Sequence, residues 1–106
     1  MKKIALIFTL LFSAFSFADE TTKARIIENV QIRTDGTSYF VSRVGWGAPS
    51  CPNAHFIHVN KSDGVGADAI LSLALSSQAQ NRTVYAIGNC LDAMHFKLHY
   101  LLQEPQ

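Results

Sequence analysis

The chain has 106 residues, nine Lys and Arg against eight Asp and Glu, and a formal net charge of +1. That balance builds no basic stripe for nucleic acid and gives no reason for attraction to an anionic membrane. Two cysteines alone are too few for a structural zinc site, so one would have to recruit histidines.

Lys2 and Lys3 precede an apolar run over residues 4–12, and Ser16, Phe17 and Ala18 place small residues at the two positions a signal peptidase reads. The apolar stretch is shorter than the ~20 residues of a membrane span, and no basic stop-transfer cluster follows. Residues 1–18 are therefore read as a signal peptide and residues 19–106 as one mature domain without a membrane span, periplasmic or secreted. Loss of Lys2 and Lys3 takes the net charge from +1 to −1. A domain this small sits near the limit at which a hydrophobic core alone suffices. In an oxidising compartment Cys51 and Cys90, the only cysteines, are expected to pair. In the chain-entropy model that closure stabilises the domain by roughly 3–4 kcal/mol.

In chain order, the polar residues 19–24 are expected to fray. Residues 25–33 (RIIENVQIR) alternate from Ile27 onward as a strand, and Asp35-Gly36 is the strongest hairpin signal in the chain. Residues 38–44 form a second strand with Tyr39, Val41 and Arg43 on one face and Phe40, Ser42 and Val44 on the other. The loop GWGAPSCPNA, residues 45–54, is punctuated by Gly and Pro and leads to a third strand over residues 55–60. Residues 63–80, DGVGADAILSLALSSQAQ, carry Ala67, Ile70, Leu71, Ala74 and Leu75 at the spacing of one helix face. Asp63 suits the N-cap, Asp68 complements the dipole, and Asn81 suits the stop. A fourth strand covers residues 82–88, and residues 89–93 turn through Cys90. A fifth strand covers residues 94–102, where Phe96, Leu98 and Tyr100 alternate with His95, Lys97 and His99.

This is a mainly β chain with one α-helix, in the order β-β-β-α-β-β of the five-stranded Greek-key barrel called the OB-fold. In that topology the third and fifth strands are parallel neighbours, so their starting ends lie together. Cys51 stands a few residues before one and Cys90 a few before the other, so a disulfide closes there without strain. An open antiparallel sheet with the helix on one face permits the same disulfide but does not predict it.

TDGTSYF, opening the second strand, and ALSSQAQNRTVYAIGNC, running from helix to cysteine, resemble segments of small exported OB-fold proteins of Gram-negative bacteria. The named relatives that the chain resembles are the B (binding) subunits of subtilase-cytotoxin and pertussis-like toxins. The resemblance covers about two-thirds of the mature chain. It implies a non-catalytic, glycan-binding subunit assembled in rings of five. Their sugar-contacting residues have no residue-by-residue match in this sequence, and none is carried over.

Among individual residues, Trp46 stands out as the only tryptophan, set between two glycines in a loop. An indole face stacks on the apolar side of a sugar ring while amides and carboxylates fix the hydroxyls. Asn53, Asn89 and Asp92, in the two loops that the disulfide joins, complete the expected ligand-binding set. The alternative for Trp46 is a side chain that folds back over the barrel mouth to cover the core. His95 and His99 lie roughly 13 Å apart along a strand, and His55 and His58 point to opposite faces, so no metal site and no cofactor is expected. No serine sits in a nucleophile elbow, and no enzyme is expected. Asn81-Arg82-Thr83 matches the N-glycosylation triplet, which carries no weight behind a bacterial leader. Ser72, Ser76 and Gln80 form a small, uncharged stripe on the helix, which with the resemblance predicts a homo-oligomer, a pentamer first. The alternative function is a structural or protein-interaction component of the bacterial envelope.

Overall fold

Alternation builds the sheet, because a period of two turns every second side chain inward. Phe40, Ile57, Val59, Val84, Ala86, Phe96 and Leu98 are buried at alternate positions along their strands. The computed structural model describes residues 19–105, so the signal-peptide reading of residues 1–18 lies outside the described residues. Among the described residues there are seven strands: β1 (Glu20–Thr21), β2 (Arg25–Ile26), β3 (Asn29–Ile32), β4 (Thr37–Val41), β5 (Phe56–Asn60), β6 (Thr83–Cys90) and β7 (His95–Gln103). A 3-10 turn (Lys61–Asp63) and one α-helix, α1 (Ala67–Ala79), lie between β5 and β6.

The strands form one sheet in the order β1-β6-β7-β5-β4-β3, with β2 also paired to β6. Every pair is antiparallel except β5 and β7, which run parallel through Phe56↔His95, Ile57↔Phe96 and His58↔Lys97. Cys51 and Cys90 form a disulfide with their Cα atoms 6.0 Å apart. The parallel pair and the disulfide both match expectation. The mainly β class with one helix holds as well.

The count of five strands does not hold, and the hydrogen-bonded path is not a closed ring. Residues 19–24 do not fray: Glu20 and Thr21 pair with Gly88 and Ile87. The buried Thr22 then donates its N–H to the Ala86 carbonyl and accepts the Ala86 N–H on Oγ1, at 2.9 and 2.8 Å. The expected first strand is broken at Ile27 and Glu28. Arg25 and Ile26 pair with β6, whereas residues 29–32 pair with β4. Between them Ile27 is buried in the core, and the Glu28 carboxylate accepts the Arg43 N–H at 2.6 Å, which holds the corner.

The helix also begins later than its apolar pattern. Asp63 caps the 3-10 turn rather than α1: its carboxylate accepts the Asn60 N–H, and the Asn60 side chain accepts the Ser62 N–H, each at 2.8 Å. Gly64 and Gly66 then redirect the chain, and α1 starts without a side-chain cap. Its buried face is Ala67, Ala74 and Ser77, with Ile70 and Leu71 packed on the core; Leu75 lies outside it. Asn81, at φ 55°, ends the helix in the left-handed conformation expected of it.

In β7 the alternation reverses partway. Ile87 pairs with Tyr100 but Gly88 pairs with Leu98, so His99 is skipped as a bulge. Tyr100 is consequently turned out, 61% exposed, and Leu101 turned in. Gly88 is required there, because a side chain at that position would run into the Lys97 carbonyl.

Candidate functional site

Residues directly opposite one another in paired strands share a face. Gln31 on β3 lies opposite Tyr39, Tyr39 opposite His58, His58 opposite Lys97, and Lys97 opposite Asn89. Phe40, Ile57, Phe96 and Leu98 flank this row in sequence and are buried. The row therefore crosses the outer face of five strands. A second row, Val41, Phe56 and His95, runs beside it.

Four rings from the two rows pack into one half-buried cluster. The Tyr39 ring lies 5.6 Å from His58, 6.0 Å from Phe56 and 6.3 Å from His95. Phe56 and His95 stack at 5.3 Å with their planes 16° apart, and His58 meets His95 edge-on at 6.2 Å. Polar groups surround the rings. Arg33 donates to the Tyr39 hydroxyl at 3.2 Å and pairs with Asp35 at 3.4 Å. Lys97 reaches Asp63 at 3.5 Å. These exposed pairs position side chains more than they stabilise the fold.

Asp92 closes the cluster from the β6–β7 turn. Its Oδ1 accepts the backbone N–H groups of Met94 and His95, and its carboxylate meets His95 Nδ1 at 2.9 Å. The hydrogen bond to the His95 ring first, and the Met94 N–H next, hold the Asp92 carboxyl below the usual carboxylate range. The Asn60 N–H does the same for Asp63. Burial, followed by the neighbouring His95, holds His58 below the ordinary histidine value.

The expected ligand-binding set is only partly assembled. Trp46 is a correction: it is 0% exposed, and its Nε1–H donates to the Phe40 and His55 carbonyls at 3.1 and 3.0 Å. Gly45 and Gly47, at φ 88° and 72°, make the turn that tucks the indole inward. It covers the core and offers no face to a sugar. Asn53 is exposed in the 45–54 loop and belongs to neither row. Asn89 is half-buried at the end of the first row, and Asp92 touches the cluster through His95. Tyr39, Phe56, His58 and His95 were missed as a group. The signal was present: aromatic and imidazole residues stand at outward positions of three strands that the expected topology makes neighbours.

Among the described residues no three or more His, Cys, Asp or Glu side chains are grouped to hold a metal ion. No helix among them is long and apolar enough to cross a membrane. A cavity of about 190 Å³ lies between β5, β7 and the start of α1, lined by Val59, Ala67, Ile70 and Leu98 with Asp63 and His99. That is smaller than the ~300 Å³ at which ligand pockets begin, so the open ring face is the stronger candidate site. Chemically that face can stack on a flat or apolar surface and exchange hydrogen bonds through imidazole, ammonium, amide and carboxylate groups. No family model matches the sequence, and neither a curated protein nor a solved structure matches the chain.

Proposed function

We propose that the chain is a non-catalytic, exported binding module that takes a glycan on the outer face of β4, β5 and β7. The observation that carries this reading is the cluster of Tyr39, Phe56, His58 and His95 on one sheet face. A sugar presents C–H groups on one side, which aromatic faces cover, and hydroxyls at its rim. Gln31, Lys97, Asn89 and the Asp92–His95 pair stand where a stacked ring would present those hydroxyls.

The architecture that goes with this function is an OB-type barrel. The parallel β5–β7 pair and the helix between β5 and β6 support it. So does the segment over residues 25–32, whose two halves pair with β6 and β4; read as one bent strand, it joins the two sides of the sheet. In such barrels the face of the second and third strands is a common oligosaccharide site, and on this reading β4 and β5 would correspond to those strands. Export follows from the leader-like residues 1–18 and agrees with a disulfide. A pentamer remains the proposed assembly, with the exposed Ser72, Ser76 and Gln80 on its contact surface.

Glycan-array screening of the disulfide-bonded protein tests the reading. Binding that is lost on Tyr39→Ala supports it; an array without a hit overturns it. One observation favours the alternative, a protein-interaction component of the envelope. β3 pairs with β4 alone, and Asn29, Gln31 and Ile32 are exposed, so this edge can take an added strand. A stoichiometric protein partner captured from the envelope, insensitive to free sugar, would replace the glycan reading.

A further inference from the structure

The ring cluster contains a nitrogen that stacking on a sugar does not explain. His58 Nδ1 is shielded from solvent and has no hydrogen-bond partner. A neutral imidazole tolerates this, because one of its ring nitrogens carries no hydrogen. An imidazolium does not, because both nitrogens are then donors and a buried donor without an acceptor is costly. Asp63 and Asp92 favour the charge from a distance, but less than burial and His95 oppose it, and no acceptor is bonded to its Nδ1. From β4 the facing group is Tyr39, already bonded to Arg33. From β7 they are His95 and Lys97, one a second imidazole and the other a cation. The nearby carboxylates are engaged: Asp63 with the Asn60 N–H and Lys97, Asp92 with the Met94 and His95 N–H groups and the His95 ring.

We propose that protonation of His58 opens this face and releases its bound glycan as the medium turns acidic. With His58 neutral, Tyr39, His58, His95 and Phe56 pack as one surface. Once charged, the His58 ring must leave its place between Tyr39 and His95 to bring both N–H groups to water, and the middle of the surface goes with it. His95 differs in having Asp92 against its Nδ1, at 2.9 Å. Burial and the neighbouring His95, which together hold His58 below its ordinary value, act in the same direction. This regulation rests on the glycan reading, but the switch lies in the protein and can be observed without a sugar.

Side-chain NMR across about pH 7.5 to 4.5 reads the switch directly. The expected result is a His58 Cε1–H midpoint below 6.5, with the Tyr39 and Phe56 ring signals moving at that midpoint. In His58→Gln those ring movements should vanish while the backbone amide spectrum of the folded domain remains. A His58 midpoint at or above 6.5, or ring signals that ignore it, overturns the proposal. The second arm uses an array of immobilised neutral oligosaccharides. If only the neutral form binds, apparent affinity falls about tenfold for each pH unit below the His58 midpoint. Array hits whose affinity is constant over that range also overturn the switch. An array silent at every pH removes the glycan reading alone, and the NMR arm still decides whether the face opens.

Discussion

Trp46 and the four-ring cluster were both candidate ring surfaces, and they differ in burial, hydrogen bonding and origin. Trp46 is enclosed, its single donor is shared between two carbonyls, and glycines of positive φ on both sides turn it inward. The Tyr39–Phe56–His58–His95 cluster is half in water, draws its members from three strands, and keeps one shielded nitrogen unpaired. A side chain whose hydrogen-bonding capacity is spent inside the fold serves stability. A half-exposed cluster with one unpaired nitrogen beneath its surface is not explained by stability alone. Loop position and rarity pointed to Trp46, but satisfaction of polar groups is the better guide.

Trp46→Ala is the largest expected loss. Truncating a fully buried indole typically costs about 3–5 kcal/mol, readable as a lower denaturant midpoint. A Trp46→Ala protein that kept its stability but lost sugar binding would reverse the comparison. Cys90→Ser should follow closely, at roughly 2–5 kcal/mol, and under non-reducing conditions the wild-type mass should be two hydrogens below that of the reduced chain. Free thiols at both positions in the native protein would contradict the stapled loop. Gly88→Ala, whose added methyl meets the Lys97 carbonyl, should lose about 1–3 kcal/mol. Tyr39→Ala should cost less than about 1 kcal/mol and abolish binding. A large loss of stability there would make the ring cluster part of the core after all.

The pH dependence of stability sharpens the contrast with no ligand present. His58 is depressed in the folded chain, so the unfolded chain takes up that proton first. Stability therefore falls as pH drops below 6.5 and levels off once the folded His58 is also protonated. Asp63 and Asp92 are depressed too, so a second fall begins near 3.8 and continues towards their folded values. Denaturant midpoints measured across this range should show both steps, and His58→Gln should remove only the first.

Much of the fold was legible because alternation and helical spacing are local. The inward residues of β4, β5 and β6, the helix face from Ala67 to Ala74 and the Asn81 stop are all set by sequence neighbours. The cysteine pairing was legible because Cys51 and Cys90 are the only cysteines behind a leader-like segment, and the expected topology placed their strand starts together. Three things required the tertiary structure. β1 exists only because β6 has a free edge for it. The break at Ile27 comes from a corner held by Glu28 and the backbone N–H of Arg43, and the bulge at His99 from pairing with a glycine. The candidate site was half legible. Asn89 and Asp92, singled out through the disulfide, lie beside the ring cluster, whereas the cluster itself needed the cross-strand register of β4, β5 and β7.

The pairing of β1 and β2 has a consequence for how the molecule assembles. Glu20 joins Gly88, and Arg25 joins Val84. Strands β1 and β2 therefore have no strand partner until almost the whole chain has emerged, although Glu20, Lys23 and Arg25 also bond to the 45–50 loop, and Cys51 likewise waits for Cys90. Before then, β3, β4 and β5 can zip together as neighbours, but they present an unfinished edge. Such long-range closures fold in milliseconds to seconds rather than microseconds. Until β1 and β2 meet β6, that unpaired edge is the part of the sheet open to aggregation and proteolysis.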